Sequence, residues 1–165
     1  MSSIDWLADE TTGKPSEAEQ GWQVLVVDDE PEVHAVTRLA LRRFLFEDQP
    51  LVVHTASSAE EGLAIAHKLG DDLAMAIIDV VMETEQAGLD LVKAIREEVG
   101  NHITRLVLRT GQPGSAPESD VVRDYDINDY KEKTELTAQK FHTMMYGGLR
   151  NYRDLRVMRT SQTQH

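Results

Sequence analysis

The sequence predicts an α/β fold built on a five-stranded, parallel, doubly wound sheet, with a helical extension at its C-terminus. Two observations carry the prediction. Short, almost wholly apolar runs such as QVLVV, LAMAII and RLVL end abruptly on polar residues, the texture of strands buried on both faces of a sheet. Between them lie segments whose apolar residues recur at helical spacing, so strand and helix alternate at the separation of right-handed crossovers.

The first strand is QVLVV from Gln23, and after its acids Pro31 stands where a helix's first position accepts proline. Val33, Val36, Leu39, Ala40 and Phe44 give that helix one expected apolar face. LVVHTA starts the second unit. Ser58 and Glu61 match a capping box, in which each side chain satisfies a backbone N–H of the other, and Gly70 is a fitting residue to close that helix. The third strand, LAMAIID, ends on Asp79, and GLDLVKAIREEVG follows as a helix after a polar loop. The fourth, RLVLRT, ends on Thr110 and leads through a turn of Gly, Pro and Ser to a short acidic helix expected around Pro117 to Arg123. YDINDYKEK supplies the fifth strand, and Thr134 is placed to cap a last helix, TELTAQKFHTMMY.

Gly147 and Gly148 together cost a helix roughly 2 kcal/mol relative to alanine, so a break or kink is expected before a second helix, LRNYRDLRVM. There Leu149, Tyr152 and Leu155 share one stripe, while Arg150, Arg153, Arg156 and Arg159 recur as a solvated face would. The chain thus divides into a polar tail over 1–21, with Ile4, Trp6 and Leu7 its apolar cluster, a domain over 22–146, and a helical connector or tail over 147–165.

A length of 165 residues suits one domain. Seventeen Lys and Arg against 29 Asp and Glu give a net charge of −12, which repels nucleic acid and anionic membrane, so direct DNA binding is not expected. The absence of cysteine excludes disulfides and thiolate metal sites. With neither a signal-like start nor an apolar run of membrane-spanning length, a cytoplasmic protein is expected. The histidines at 34, 54, 67, 102, 142 and 165 show no ligand spacing.

Ligands on such sheets bind at the carboxyl ends of the strands, and there the polar residues gather: Asp28 and Asp29, Asp79, Thr110, and Lys133. Three carboxylates in a partly desolvated cleft repel one another, and a divalent cation relieves that repulsion. Oxygen donors without imidazole or thiolate suit a hard ion, best Mg²⁺. Lys133 and Thr110 suit phosphate oxygens. Phosphoryl transfer needs an in-line nucleophile and charge neutralisation. Asp79 is the candidate nucleophile, forming an acyl phosphate, because its strand is expected to be central. Taken singly, these residues have plainer uses: Asp28 and Asp29 as helix caps, Tyr130 as strand packing, Met82 as core filler.

Together, VVDDEP, AIIDVVM, VLRTG and NDYKEK resemble, in order and spacing, the four landmarks of the receiver domain of two-component response regulators. The resemblance covers Gln23 to Tyr146 and implies a CheY-like, flavodoxin-like fold. It implies that Asp28, Asp29, Asp79 and the backbone carbonyl of Val81 hold Mg²⁺. It further implies that Asp79 accepts a phosphoryl group from a phosphohistidine on a sensor histidine kinase or histidine phosphotransfer protein. Lys133 would pair with the phosphate, Thr110 would sense it, and Tyr130 would act as an aromatic switch. The surface of the fourth helix, fifth strand and fifth helix would then change and could support a homodimer. No enzymatic activity beyond its own phosphorylation and dephosphorylation is expected.

LRTGQPG and YDINDYKEKTELT further resemble receivers attached to HD-type cyclic-dinucleotide phosphodiesterase modules, so the chain is expected to be either a single-domain regulator or the front part of a longer parent protein with an output domain. Four departures stand out. Glu83 replaces the family's usual proline, VVMETEQAG is slightly long, Lys133-Thr134 replaces Lys-Pro, and Val81 is apolar where the loop often tunes hydrolysis. The altered loops would suit a degenerate receiver serving as an interaction module, which the filled acidic and basic positions oppose. A Mg²⁺-dependent phosphohydrolase would want a second Asp where Val81 stands.

Overall fold

In the computed structural model, residues 20–111, 121, 123–133 and 137–163 are described, with side chains through Arg159. Their order is β1 (Trp22–Val27), α1 (Pro31–Leu41), β2 (Leu45–Phe46), β3 (Gln49–Ala56), α2 (Ala59–Leu69), β4 (Leu73–Asp79), α3 (Ala87–Glu97), β5 (Arg105–Thr110), β6 (Asp129–Glu132) and α4 (Ala138–Thr163). The sheet runs β2-β3-β1-β4-β5-β6, parallel everywhere except between β2 and β3. The doubly wound architecture is as expected, with Asp79 at the end of a central strand.

Six strands stand where five were expected. The additional one, β2, folds back on β3 through Glu47 and Asp48, whose φ values are 52° and 62°. A two-residue hairpin with both central residues left-handed is a type I′ turn, usually announced by Asn-Gly or Asp-Gly. Glu-Asp carries no such signal. Of the expected acidic helix before β6, residues 121 and 123–124 are helical, and the rest lies outside the described residues, as do Thr134 and the apolar cluster of Ile4, Trp6 and Leu7. The described cap of α4 is Thr137, whose hydroxyl accepts the Lys140 N–H at 3.3 Å. Among the described residues, no helix is long and apolar enough to cross a membrane.

Strand alternation sends side chains to two cores. Leu25, Val27, Ala76, Ile78, Leu106 and Leu108 pack with Leu91 and Ile95 of α3. Val24, Val26, Met75, Ile77 and Val107 pack with Leu41 of α1 and Phe141, Met145 and Leu149 of α4. The face of α1 differs from the expected one. Val36 and Leu39 are 66% and 65% exposed, whereas Thr37 and Leu41 are buried. Both sets recur at helical spacing, so periodicity alone does not choose between them.

The expected break at Gly147 and Gly148 is absent, because α4 is a single helix of 26 residues. Burial outweighs propensity: Met145, Leu149 and Tyr152 are almost fully enclosed, each contributing about 1.5–3 kcal/mol against about 1 kcal/mol lost per glycine. Gly148 also lets the helix approach the sheet, since a Cβ there would press on the Met75 side chain, while one at Gly147 would meet nothing within 4 Å. Gly147→Ala is therefore expected to raise stability by about 0.5–1 kcal/mol, read as a higher urea midpoint; a loss of that size would contradict a continuous helix.

The arginine stripe is docked rather than merely solvated. Arg153 pairs with Glu47 at 2.6 Å, Arg156 with Asp72 at 2.6 Å and Arg159 with Asp71 at 2.5 Å. Tyr152 donates its hydroxyl to the Asp71 carbonyl at 2.6 Å. Exposed ion pairs contribute little stability individually, but these orient the helix that Leu149 and Tyr152 anchor.

Candidate functional site

β1 and β4 run side by side with Val27 opposite Ile78, so the next residues on each, Asp28 and Asp79, end adjacent strands as neighbours. Both carboxylates are buried. Asp28 is held from several sides: its backbone N–H donates to the Ala56 carbonyl at 3.0 Å, its Oδ1 accepts the Glu30 N–H at 2.9 Å, and its carbonyl accepts from His34 Nε2 at 2.8 Å. Lys133, just beyond β6, reaches across the sheet edge. Its Nζ lies 2.9 Å from Asp28 Oδ2, 3.1 Å from Glu30 Oε1 and 3.4 Å from Asp79 Oδ2.

Around this bridge is a cavity of about 300 Å³ lined by Asp29, Glu30, Asp79, Val81, Thr110, Gly111 and Lys133. Asp28, Asp29, Glu30 and Asp79 present carboxylate oxygens within 4.8 Å of one another. Burial first, and then the Asp28 charge, push the Asp79 pKa up to about 6, with Lys133 partly opposing them. Burial also works against the Lys133 ammonium, but hydrogen bonds to Asp28 and Glu30 and the Asp79 charge hold its pKa above the usual lysine value.

An all-oxygen cluster of four carboxylates fits a hard divalent cation. Its charge fits as well: Lys133 and the buried Arg109, one residue before the end of β5, supply two positive charges against four negative ones, leaving the equivalent of one divalent ion uncompensated.

The family model for the response regulator receiver domain matches residues 24–144. The chain belongs to this family. Among curated proteins, it is 53% identical over 139 residues to the 3'3'-cGAMP-specific phosphodiesterase 2 of Vibrio cholerae, a match that covers 84% of the chain and 26% of that protein. The chain thus spans about a quarter of this relative. Among solved structures, a response regulator receiver domain protein from Clostridium thermocellum aligns with a TM-score of 0.68 at 22% identity, covering 81% of this chain and 98% of that one. The signal receiver domain of an HD domain-containing protein from Pseudomonas fluorescens Pf-5 aligns at 0.66 and 15% identity, covering 88% and 97%. At these identities the two structures speak for the fold.

Within this receiver domain, the expected residues Asp28, Asp29, Asp79, Val81, Thr110 and Lys133 meet at one cavity or its wall. Tyr130 does not line it; it is buried on the next strand, opposite Leu108, in the core shared with α3. Met82 is core, as expected of filler. Glu30 escaped sequence reasoning, although it is the third acid of VVDDEP. So did Gly88, whose N–H donates to the Val80 carbonyl at 2.9 Å as α3 begins against the end of β4.

Glu83, which replaces the receiver family's usual proline, has a task of its own. Its carboxylate accepts the Ala59 N–H at 3.0 and 3.3 Å, closing the start of α2 from the loop after β4. Ser58 accepts the Glu61 N–H at 3.1 Å, while Glu61 reaches the Ser57 N–H rather than that of Ser58, one residue earlier than an ideal capping box. Glu83→Ala is expected to cost about 1 kcal/mol through the lost cap and helix-dipole contact, measured by urea denaturation. An unchanged midpoint would show that solvent replaces Glu83 without loss.

Proposed function

We propose that this receiver domain accepts a phosphoryl group on Asp79 from the phosphohistidine of a sensor histidine kinase or histidine phosphotransfer protein, with Mg²⁺ bound beside it. The observation that carries the reading is the Lys133 ammonium bridging Asp28, Glu30 and Asp79 at the edge of a cavity that also holds Thr110. Asp28, Asp29, Asp79 and the Val81 carbonyl are the proposed holders of the ion, and Glu30 joins the acidic group. When bound, Mg²⁺ neutralises charge on the transferring group.

An Asp79 carboxylate oxygen attacks phosphorus as the donor's N–P bond breaks, and the imidazole leaves with that electron pair. A pKa of about 6 leaves Asp79 mostly ionised, and so nucleophilic, at neutral pH. Lys133 transfers part of its pairing from the carboxylates to the new phosphate oxygens, and the Thr110 hydroxyl donates to another. Drawing Thr110 toward the phosphate frees space beside it, into which Tyr130 repacks as the aromatic switch. Movement of β6 and α4 then alters the surface that partners or a second copy would contact.

The domain is proposed to turn over no external substrate. Val81 brings no second carboxylate for a phosphohydrolase, and the filled acidic and basic positions argue against a purely passive interaction module. The parent protein is proposed to be longer and cytoplasmic, with phosphorylation governing a cyclic-dinucleotide phosphodiesterase module; the Vibrio cholerae relative, a 3'3'-cGAMP-specific phosphodiesterase of which the match covers about a quarter, supports the module's identity and the greater length. Incubation with acetyl phosphate and Mg²⁺, followed by intact-mass measurement, tests the central step. The wild type is expected to gain one phosphoryl group and Asp79→Asn none; equal gain in both, or gain in neither, overturns the reading.

A further inference from the structure

Three adjacent strands carry charged residues in one cross-strand row at or beside their carboxyl ends. Asp28 follows Val27, which faces Ile78; Asp79 follows Ile78 and is itself opposite Arg109 on β5. Arg109 shares the sheet face of Val107, toward α1 and α4, and is only 5% exposed. Its Nη1 donates to the Thr37 hydroxyl at 3.3 Å, and its guanidinium stands 5.8 Å from the centre of the Phe141 ring. Nε and Nη2 are buried and have no hydrogen-bond partner among the described residues. A cation so placed is costly unless opposite charges compensate it. Burial lowers its pKa below the ordinary arginine value, and the charges of Asp28 and Asp79 oppose that shift.

Lys133 meets the same two carboxylates from the cavity, where its side chain keeps 20% exposure. Asp28 and Asp79 therefore lie between one cation that solvent reaches and another sealed beneath the sheet edge. The buried one explains the face that α1 presents: Thr37 turns inward to serve Arg109, which leaves Val36 and Leu39 outside.

We propose that Arg109 is a built-in counter-cation of the acidic cluster, a positioning residue that holds Asp28 and Asp79 together in the absence of a divalent ion and weakens that ion's binding by repulsion. The inference rests on the reading of these carboxylates as Mg²⁺ ligands. Arg109 is not itself a ligand and touches no transferring group. It acts through the field at Asp28 and Asp79, so its removal changes metal affinity in the direction opposite to damage.

Calorimetric titration of the full chain with Mg²⁺ at pH 8 tests this, using Arg109→Met, Arg109→Gln and Arg109→Lys. Both neutral variants are expected to bind Mg²⁺ about tenfold more tightly than the wild type on Coulomb grounds, while Arg109→Lys keeps the wild-type affinity. A merely structural arginine would lower thermal stability in all three variants without tightening Mg²⁺ binding. Should Arg109→Met fail to fold, the polar Arg109→Gln carries the comparison. Unchanged or weaker affinity in the folded neutral variants, or equal tightening in Arg109→Lys, overturns the role of Arg109 and leaves the metal site standing. No Mg²⁺ binding by the wild type overturns the metal site and this inference with it.

Discussion

Asp79→Asn is expected to stabilise the metal-free domain at neutral pH by on the order of 2–3 kcal/mol, about two pKa units at ~1.4 kcal/mol each. The sign follows from the direction of the shift. Folding raises the Asp79 pKa from 3.8 to about 6, so the protonated group favours the folded state. That contribution is complete below the unfolded value and is lost as pH rises through about 6. Above that, the wild type holds an ionised carboxylate in a buried site beside Asp28, and asparagine does not. With a chelator present, urea denaturation should show the two proteins nearly equal near pH 4 and the variant ahead by the full amount at pH 7.5. Excess Mg²⁺ should close the gap by stabilising the wild type. A difference that does not vary with pH would overturn this account of Asp79.

Gly88→Ala is expected to destabilise the domain by about 3 kcal/mol, at or beyond the upper end of ordinary overpacking. The reason is what the new methyl group would meet. A Cβ at Gly88 would fall 2.8 Å from both the Asp79 carbonyl carbon and the Val80 Cα, and nearer still to the Asp79 carbonyl oxygen. These are backbone atoms, so no rotamer change relieves the overlap. Either α3 backs away and loses the hydrogen bond from Gly88 to Val80, or the end of β4 shifts and carries Asp79 with it. The variant should lose urea resistance and Mg²⁺ affinity together. A wild-type midpoint would show that α3 does not begin against Asp79.

The contrast between the buried strands and Gly88 shows what sequence can convey. QVLVV, LAMAIID and RLVLRT were legible as strands because burial on both faces leaves an apolar record in the strand itself. The polar residues that end them could therefore be placed at one edge before any contact was known. Gly88 left no comparable record, since its neighbour, the Asp79 carbonyl, is supplied by the backbone of another element. The same holds for Arg156 and Asp72, whose ion pair joins residues 84 positions apart. In α1, periodicity allowed two phases, and the one adopted buries Leu41 and turns the Thr37 hydroxyl toward Arg109, a residue of another element. In α4, propensity argued for a break that buried Leu149 and Tyr152 overrode. The residues of the candidate site were thus readable by type and order, while the groups that aim them, Glu30, Glu83, Gly88 and Arg109, depended on tertiary neighbours.

An unbroken α4 has a mechanical corollary. At 1.5 Å per residue, 26 residues make a rod of about 39 Å, clamped near its middle where Tyr152 meets Asp71 and Arg153 meets Glu47. Phe141 lies toward one end of this beam, against the Arg109 guanidinium, which is paired across the sheet with Asp79. Pivoting about the clamp would convert travel at Phe141, about 17 Å away, into opposite travel of roughly two-fifths that size at the exposed Val157 and Met158, about 7.5 Å beyond it, against the restraint of the Arg156–Asp72 and Arg159–Asp71 pairs. A flexible linker would absorb such an input as slack; a stiff beam delivers it as displacement.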